Sequence, residues 1–288
     1  MELKLKRHET FSIREGWLEK GIHYINKDAK SMSKENGTRI FGLGSNMVKS
    51  LRYWLTATKL ATFKNANAKL ETLGQLILER DPYIDNDFTL WLIHLYLATN
   101  EYDAPVFNAI FNLDYSQFDK DFLLDRVPAK LSELGYDEVS SNSSLEADIS
   151  IFLKSYYSED LSNPENNMNC PLSKLNLFTC EGKKIYSRKI PAFSKLDFRI
   201  IYLSLLRCVN FQEGEISFNV EDLYSLRNNP LKIFNLPKSA LFHYLDEMQK
   251  YDYIKFNKTA GLNVVQIREP KTVSEVVNSY FDEINNYV

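Results

Sequence analysis

The run "FTLWLIHLYLA", Phe88 to Ala98, constrains this chain more than any other stretch. It is almost wholly apolar, so a helix built from it must be buried on most of its sides. It also falls far short of the roughly 20 residues that cross a bilayer, and no other apolar run approaches that length. Other elements must therefore wrap around an interior helix. At 288 residues the chain is long enough for a sizeable core and for two or three domains. Aromatic residues make up 13% of it, which argues against disorder. The N-terminus "MELKLKRHET" lacks the apolar core of a signal peptide, so a cytoplasmic protein with no membrane partner is expected. Cys170, Cys180 and Cys208 are spaced too loosely for a zinc site and suit a reducing compartment. No cofactor and no metal centre is expected, although carboxylates alone would suffice for magnesium.

Charge is segregated along the chain. Residues 1–69 carry 14 Lys and Arg against 6 Asp and Glu, whereas residues 70–170 carry 5 against 19. A basic head before an acidic middle suggests nucleic-acid contact. It equally describes two lobes that attract each other, or an acidic surface that meets a basic partner.

Within the head, "REGWLEKGIHYINKD" puts Trp17, Leu18, Ile22 and Ile25 at helical spacing. A short second helix is expected in "AKSMSKENGTR". Gly42 and Gly44 then allow a tight corner, with Ser45 in the N-cap place of a third helix. At about 100° per residue, Met47, Val48, Leu51, Trp54 and Leu55 share one side of that helix. Ser45, Asn46, Lys49, Arg52, Tyr53 and Thr56 occupy the other. Lys64-Asn65-Ala66-Asn67 reads as a hairpin tip. Three helices followed by a hairpin is the winged helix-turn-helix layout. A second series of this kind runs from "SKLDFRIIYLSLLRCV" through "PKSALFHYLDEMQKY" to the hairpin "YIKFNKTAGLNVVQIRE", with Pro237 placed in a first helical turn.

The expected fold is therefore mainly α with small β-hairpins: two winged helix-turn-helix modules joined by a helical middle domain. The boundaries fall at 1–80 for the N-terminal winged helix and 81–157 for the acidic helical domain. Residues 158–194 form a linker with short strands, its polar part being "SEDLSNPENNMN", and 195–288 the C-terminal winged helix with a closing helix.

A recognition helix reads base edges with its N-terminal residues, which nominates Ser45, Asn46 and Lys49. Arg52, Tyr53 and Lys59 lie further along and are placed on phosphates, with Lys64 and Lys69 of the hairpin on flanking backbone. Arg14, Lys20 and Arg39 complete the expected DNA-binding set. The bland alternative is a solvated face on a helix that only packs. The second module offers Lys238, Ser239, His243, Lys250, Lys255 and Lys258, but Asp246 and Glu247 beside them repel phosphate. Contact with DNA and docking to a protein stay equally open there. Asp81, Asp85 and Asp87 resemble a metal cluster of the nuclease kind, yet Asp-Pro-Tyr entering a helix is more often a cap and turn. His94 reads as a satisfied core histidine, and His8-Glu9 as a structural pair.

Four pieces, "HETFSIREGWLEKG", "GLGSNMVKSLRYW", "DPYIDNDFTLWLIHLYLATN" and "CPLSKLNLF", resemble an uncharacterised prokaryotic family, domain of unknown function number four thousand and seven. They cover most of residues 8–180. The resemblance marks His8, Glu9, Phe11, Arg14, Trp17 and Lys20, then Gly42, Gly44, Met47, Arg52 and Trp54, then Asp81, Pro82 and Tyr83 as family-specific. Arg14, Lys20 and Arg52 lack a packing reason and are expected to be exposed and functional. Members of the family are often encoded beside phosphosulfate-reductase-like enzymes and cysteine desulfurases, in what look like DNA sulfur-modification and anti-phage defence loci. The resemblance thus implies a non-enzymatic, DNA-binding accessory protein of a phosphorothioation or defence complex, which positions such a partner enzyme on double-stranded DNA. An autonomous transcription regulator and a metal-dependent nuclease are the alternatives.

Overall fold

The computed structural model describes residues 2–139, 141–158, 169–182, 184–209, 216–259 and 262–286. It is mainly helical, with small antiparallel sheets. Two compact units are present, Met1–Lys189 and Ile190–Val288.

The first unit opens with a non-helical strap that leads into α1 (Trp17–Lys27), α2 (Gly37–Phe41) and α3 (Ser45–Ala57). Gly42 ends α2 at φ 63, a left-handed conformation that glycine adopts without steric penalty. The hairpin β1 (Ala61–Lys64) and β2 (Asn67–Leu70) turns on Asn65 and Ala66, with Asn65 at φ 56. It leads into α4 (Thr72–Arg80). Ser45 does not cap α3: Gly44 holds the N-cap position, and no side chain caps that end.

The apolar run forms α5 (Asp87–Ala98), started by the Asn86 side chain accepting from the Phe88 N–H. It packs against α6 (Pro105–Asn112), which in turn packs with α7 (Lys120–Glu133) and α8 (Asn142–Tyr156). His94 is fully buried, and its Nδ1 shares a 2.8 Å hydrogen bond with the Tyr156 hydroxyl. The short strands after residue 170 are β4 (Phe178–Glu181) and β5 (Ile185–Arg188), preceded by a 3-10 turn over Pro171–Leu175. They pair with β3 (Gln117–Phe118), which lies in the middle segment, in the order β3-β5-β4. Most of the polar linker, residues 159–168, lies outside the described residues.

Residues expected to separate into head, acidic middle and strand region therefore cluster as one unit. The physical reason is an aromatic core that crosses the expected boundary. Trp54 of α3 meets Phe107 of α6 edge-on at 5.7 Å, and Phe107 in turn meets Phe152 of α8 at 5.3 Å. Cutting the chain near residue 80 would expose this core to water.

In the second unit, α9 (Phe198–Cys208) packs with α11 (Pro230–Ile233), α12 (Lys238–Lys250) and α13 (Val273–Asn285). Pro237 is the N-cap residue of α12 and not part of its first turn. A strand absent from the sequence expectation, β6 (Ile216–Asn219), joins the hairpin β7 (Lys255–Thr259) and β8 (Leu262–Ile267) in the order β6-β8-β7. The short helix α10 (Val220–Leu223) follows β6 directly. Ala260 and Gly261, at the expected hairpin tip, lie outside the described residues. Among the described residues no helix is long and apolar enough to cross a membrane.

Candidate nucleic-acid interface

The outward side of α3 is the floor of a groove of about 920 Å³. Its rim comes from three other places: Arg7 and Glu9 of the strap, Met32, Lys34 and Thr38 of the segment before and within α2, and Thr62 and Phe63 of β1. From α3 itself, Ser45, Val48, Lys49, Arg52, Tyr53 and Thr56 contribute. The groove thus gathers four cations and a single carboxylate from stretches far apart in sequence.

The strap is held by a left-handed turn. Lys6, Glu9 and Thr10 have φ of 57°, 48° and 65°. The Glu9 N–H donates to the Lys6 carbonyl at 3.0 Å, and the Thr10 N–H to His8 Nδ1 at 3.1 Å. His8 is fully buried, stacked on Trp54 at 6.1 Å, with Nε2 3.3 Å from Asp148 Oδ1. The Lys6 N–H donates to the other oxygen of Asp148 at 2.8 Å. On the α3 side, the Phe11 carbonyl accepts from Trp54 Nε1 at 2.9 Å and from Ser50 Oγ at 3.3 Å. Arg7 and Glu9 flank the fully buried His8 and both line the groove.

The cations divide into committed and available groups. Lys59 bonds Asp103 Oδ2 at 2.8 Å, and Arg7 bonds Oδ1 of the same carboxylate at 3.0 Å. Burial alone would raise the Asp103 carboxyl, but hydrogen bonds from Lys59 and Arg7 prevail and hold it below the ordinary range. Lys59, expected on phosphate, is instead spent on the acidic segment. The charge segregation is thus partly an internal attraction. Arg52, expected to be exposed, is half-buried: Nη1 donates to the Met32 carbonyl at 2.8 Å, and the guanidinium lies 4.6 Å from the centre of the Phe63 ring. This burial lowers its pKa. Tyr53, placed outward by the helical wheel, is only 7% exposed, because the strap covers that side of α3. Burial first, and the Asp148 carboxylate second, push its hydroxyl far above the usual tyrosine range.

Ser45, Asn46 and Lys49 are exposed, as are Lys20, Arg39, Lys64 and Lys69. The Lys49 side chain is 62% exposed, with Nζ 3.7 Å from Glu9 Oε1. Arg14 is half-buried between the rings of Phe11 and Trp17, 5.4 Å from each centre. Arg7, Met32, Lys34, Thr38, Thr62 and Phe63 escaped the sequence reading, and Glu9 was read as half of a structural pair with His8. The basic head hinted at Arg7 and Lys34, but only folding brings them beside α3.

In the second unit Ser239, His243, Lys250 and Lys255 are exposed. Lys238 stands over the Tyr224 ring at 4.1 Å, and Lys258 is bound by both oxygens of Asp246 at 2.7 and 3.0 Å. His243 lies against the exposed ring of Phe193, at 4.2 Å between centres.

Asp81 is buried and accepts the N–H groups of Asp85 and Asn86, each at 3.1 Å. It therefore shapes the turn into α5. Among the described residues no three His, Cys, Asp or Glu side chains come together as a group able to hold a metal ion.

A family model described as "Protein of unknown function (DUF4007)" matches residues 5–281. The chain belongs to this family. The DUF4007 match runs through the strap, the groove and nearly all of the second unit, well beyond the 8–180 covered by the four sequence pieces. Among curated proteins nothing matches. Two solved structures share the fold. A magnesium ion-bound crystal structure of SspB has a TM-score of 0.85, and a second SspB crystal structure has 0.83. Each is 21% identical, over 98% of this DUF4007 chain and 89% of the SspB chain.

The Asp103 bridge carries a pH prediction. A carboxyl held below its unfolded value stabilises the fold fully above about pH 4, and that contribution is lost as pH falls through the folded pKa. Asp103→Asn should therefore cost about 2 kcal/mol at neutral pH. Its difference from the parent should shrink as denaturant melts are repeated toward pH 3. A constant difference across that window would show that the bridge's charge is not what stabilises.

Proposed function

We propose that this chain binds DNA through the groove over α3 and its exposed N-terminal end, as an accessory component of a DNA sulfur-modification or anti-phage defence complex. One observation carries the DNA part of the reading: cations from the strap, the segment before α2 and α3 converge on one groove, beside the exposed Ser45 and Asn46. Lys34 and Lys49 meet phosphate, and Lys64 and Lys69 on the hairpin hold flanking backbone, while Arg7, like Lys59, serves Asp103. In this reading α1, α2, α3 and the hairpin act as a winged helix whose strap and β1 narrow its working face. The second unit, with Ser239, His243 and Lys255 exposed, holds a partner enzyme of the phosphosulfate-reductase or cysteine-desulfurase kind. The defence setting rests on the family resemblance, and the SspB fold is compatible with it.

The test is the salt dependence of binding. Lys34, Lys49, Lys64 and Lys69 neutralise about four phosphates, which gives a log–log slope of about −4. Lys49→Ala should flatten it by about one unit, whereas Lys59→Ala should leave it unchanged, because Lys59 already serves Asp103. A slope near zero for the parent chain would end the reading. Equal effects of the two substitutions would misplace the interface.

One observation favours a second reading, metal-dependent strand cleavage: one of the two SspB structures carries magnesium. Asp81 would have to take part through the lone pairs left by its two backbone hydrogen bonds. Supercoiled plasmid incubated with the chain and magnesium decides the matter, since relaxation would turn the accessory reading into an enzymatic one.

A further inference from the structure

A helix that reads the major groove must stand proud of its surroundings. That groove is about 12 Å wide and 8.5 Å deep, only enough for one protruding helix. Only the start of α3, with Ser45, Asn46 and Lys49 exposed, meets that condition. Further along, Arg52 is half-buried and Tyr53 buried, and the strap, Met32, Lys34 and Phe63 join them in lining one cavity. What enters that part of the groove must be narrower than a duplex. The volume of about 920 Å³ falls within the roughly 300–1,000 Å³ of sites that enclose small organic groups.

The lining chemistry identifies the occupant. Lys34 and Lys49 suit phosphate. The half-buried Phe63 ring, with the Arg52 guanidinium 4.6 Å from its centre, offers a base a flat stacking partner. Glu9 is the discordant member. Its carboxylate is one-third exposed, sits 3.7 Å from Lys49, and would repel phosphate. It can only welcome a group that donates hydrogen bonds. Guanine presents two adjacent N–H donors on its Watson–Crick edge, matching both oxygens of a carboxylate. Thymine has one donor there, flanked by carbonyls that repel the carboxylate. In a paired duplex this edge is already taken.

We infer that the groove over α3 holds an unpaired nucleotide, guanine foremost, extruded from or overhanging a duplex, with Glu9 on its Watson–Crick edge and Lys34 and Lys49 on its phosphates. The inference rests on the DNA reading of the same groove and names what occupies it.

The full chain is titrated, by fluorescence anisotropy at about 50 mM salt, with four versions of one labelled duplex: fully paired, or with a single bulged guanine, thymine or abasic residue. The bulged guanine should bind about tenfold tighter than the bulged thymine or the abasic bulge. Glu9→Gln should abolish the guanine-over-thymine ratio while leaving the melting temperature near that of the parent. Equal binding of the guanine and thymine bulges would overturn the inference, as would a paired duplex bound as tightly as the bulged ones. A ratio that survives in Glu9→Gln would do the same. Should the paired duplex bind with a slope of about −4 and no bulge preference, the occupant is wrong and the DNA reading stands. Should none of the four bind, both fall.

Discussion

Trp54→Ala should lower the stability of the first unit by about 3–5 kcal/mol, the range for removing a fully buried large aromatic. Trp54 has no exposed surface, and its ring meets His8, Tyr53 and Phe107, joining the strap, α3 and α6. Its loss also takes one of the two donors to the Phe11 carbonyl. In a unit of this size that corresponds to a fall in Tm of roughly 6–20 °C. Trp54→Phe separates the causes. It keeps one ring in the site but removes the indole N–H and part of the ring volume, so a smaller loss of about 2 kcal/mol is expected. Calorimetry of the three proteins checks the order. If alanine and phenylalanine cost the same, the hydrogen bond and not the ring holds the strap.

Gly74→Ala should be similarly damaging for a different reason. A Cβ at that position would lie 2.1 Å from the carbonyl oxygen of Leu60, which already accepts the Glu71 N–H at 2.9 Å. Backbone cannot swing aside as a side chain can. The start of α4 must therefore separate from the turn between α3 and β1, at a cost of about 3 kcal/mol or more. Gly21→Ala is the comparison. Its Cβ would meet the Cδ1 tip of Leu55 at 2.8 Å, a contact that a rotamer change relieves in part, so about 1 kcal/mol is expected. Thermal melts followed by circular dichroism should place Gly74→Ala well below Gly21→Ala. The reverse order would mean that α4 is free to shift.

Much of the first unit was legible in the sequence because its signals are local. The 3.6-residue period marked α1 and α3, the glycine corner marked the join between α2 and α3, and Asn65-Ala66 marked the hairpin turn. The missing strands β3 and β6 are short, and each depends on partners distant in the chain, at Ser187 and Tyr186 for β3 and from Val264 to Ile267 for β6. Local propensity says little about such pairings.

The same division runs through the groove. A helical wheel assumes that one side of a helix packs and the other meets water. That assumption held for Ser45, Asn46 and Lys49. It failed for Tyr53, which the strap covers, and for Arg52, which is claimed by the Met32 carbonyl; Lys59, beyond the end of α3, is claimed by Asp103.

The sequence by itself determined that this chain would build a helical core around Phe88–Ala98, follow a polar-faced third helix with a hairpin, and concentrate positive charge at its head. Only the tertiary structure decided that the face would be walled into a groove, which cations would be spent internally, and that a carboxylate would stand among the rest. Periodicity is written in neighbouring residues, whereas burial and charge pairing depend on residues that meet only when the chain has closed upon itself.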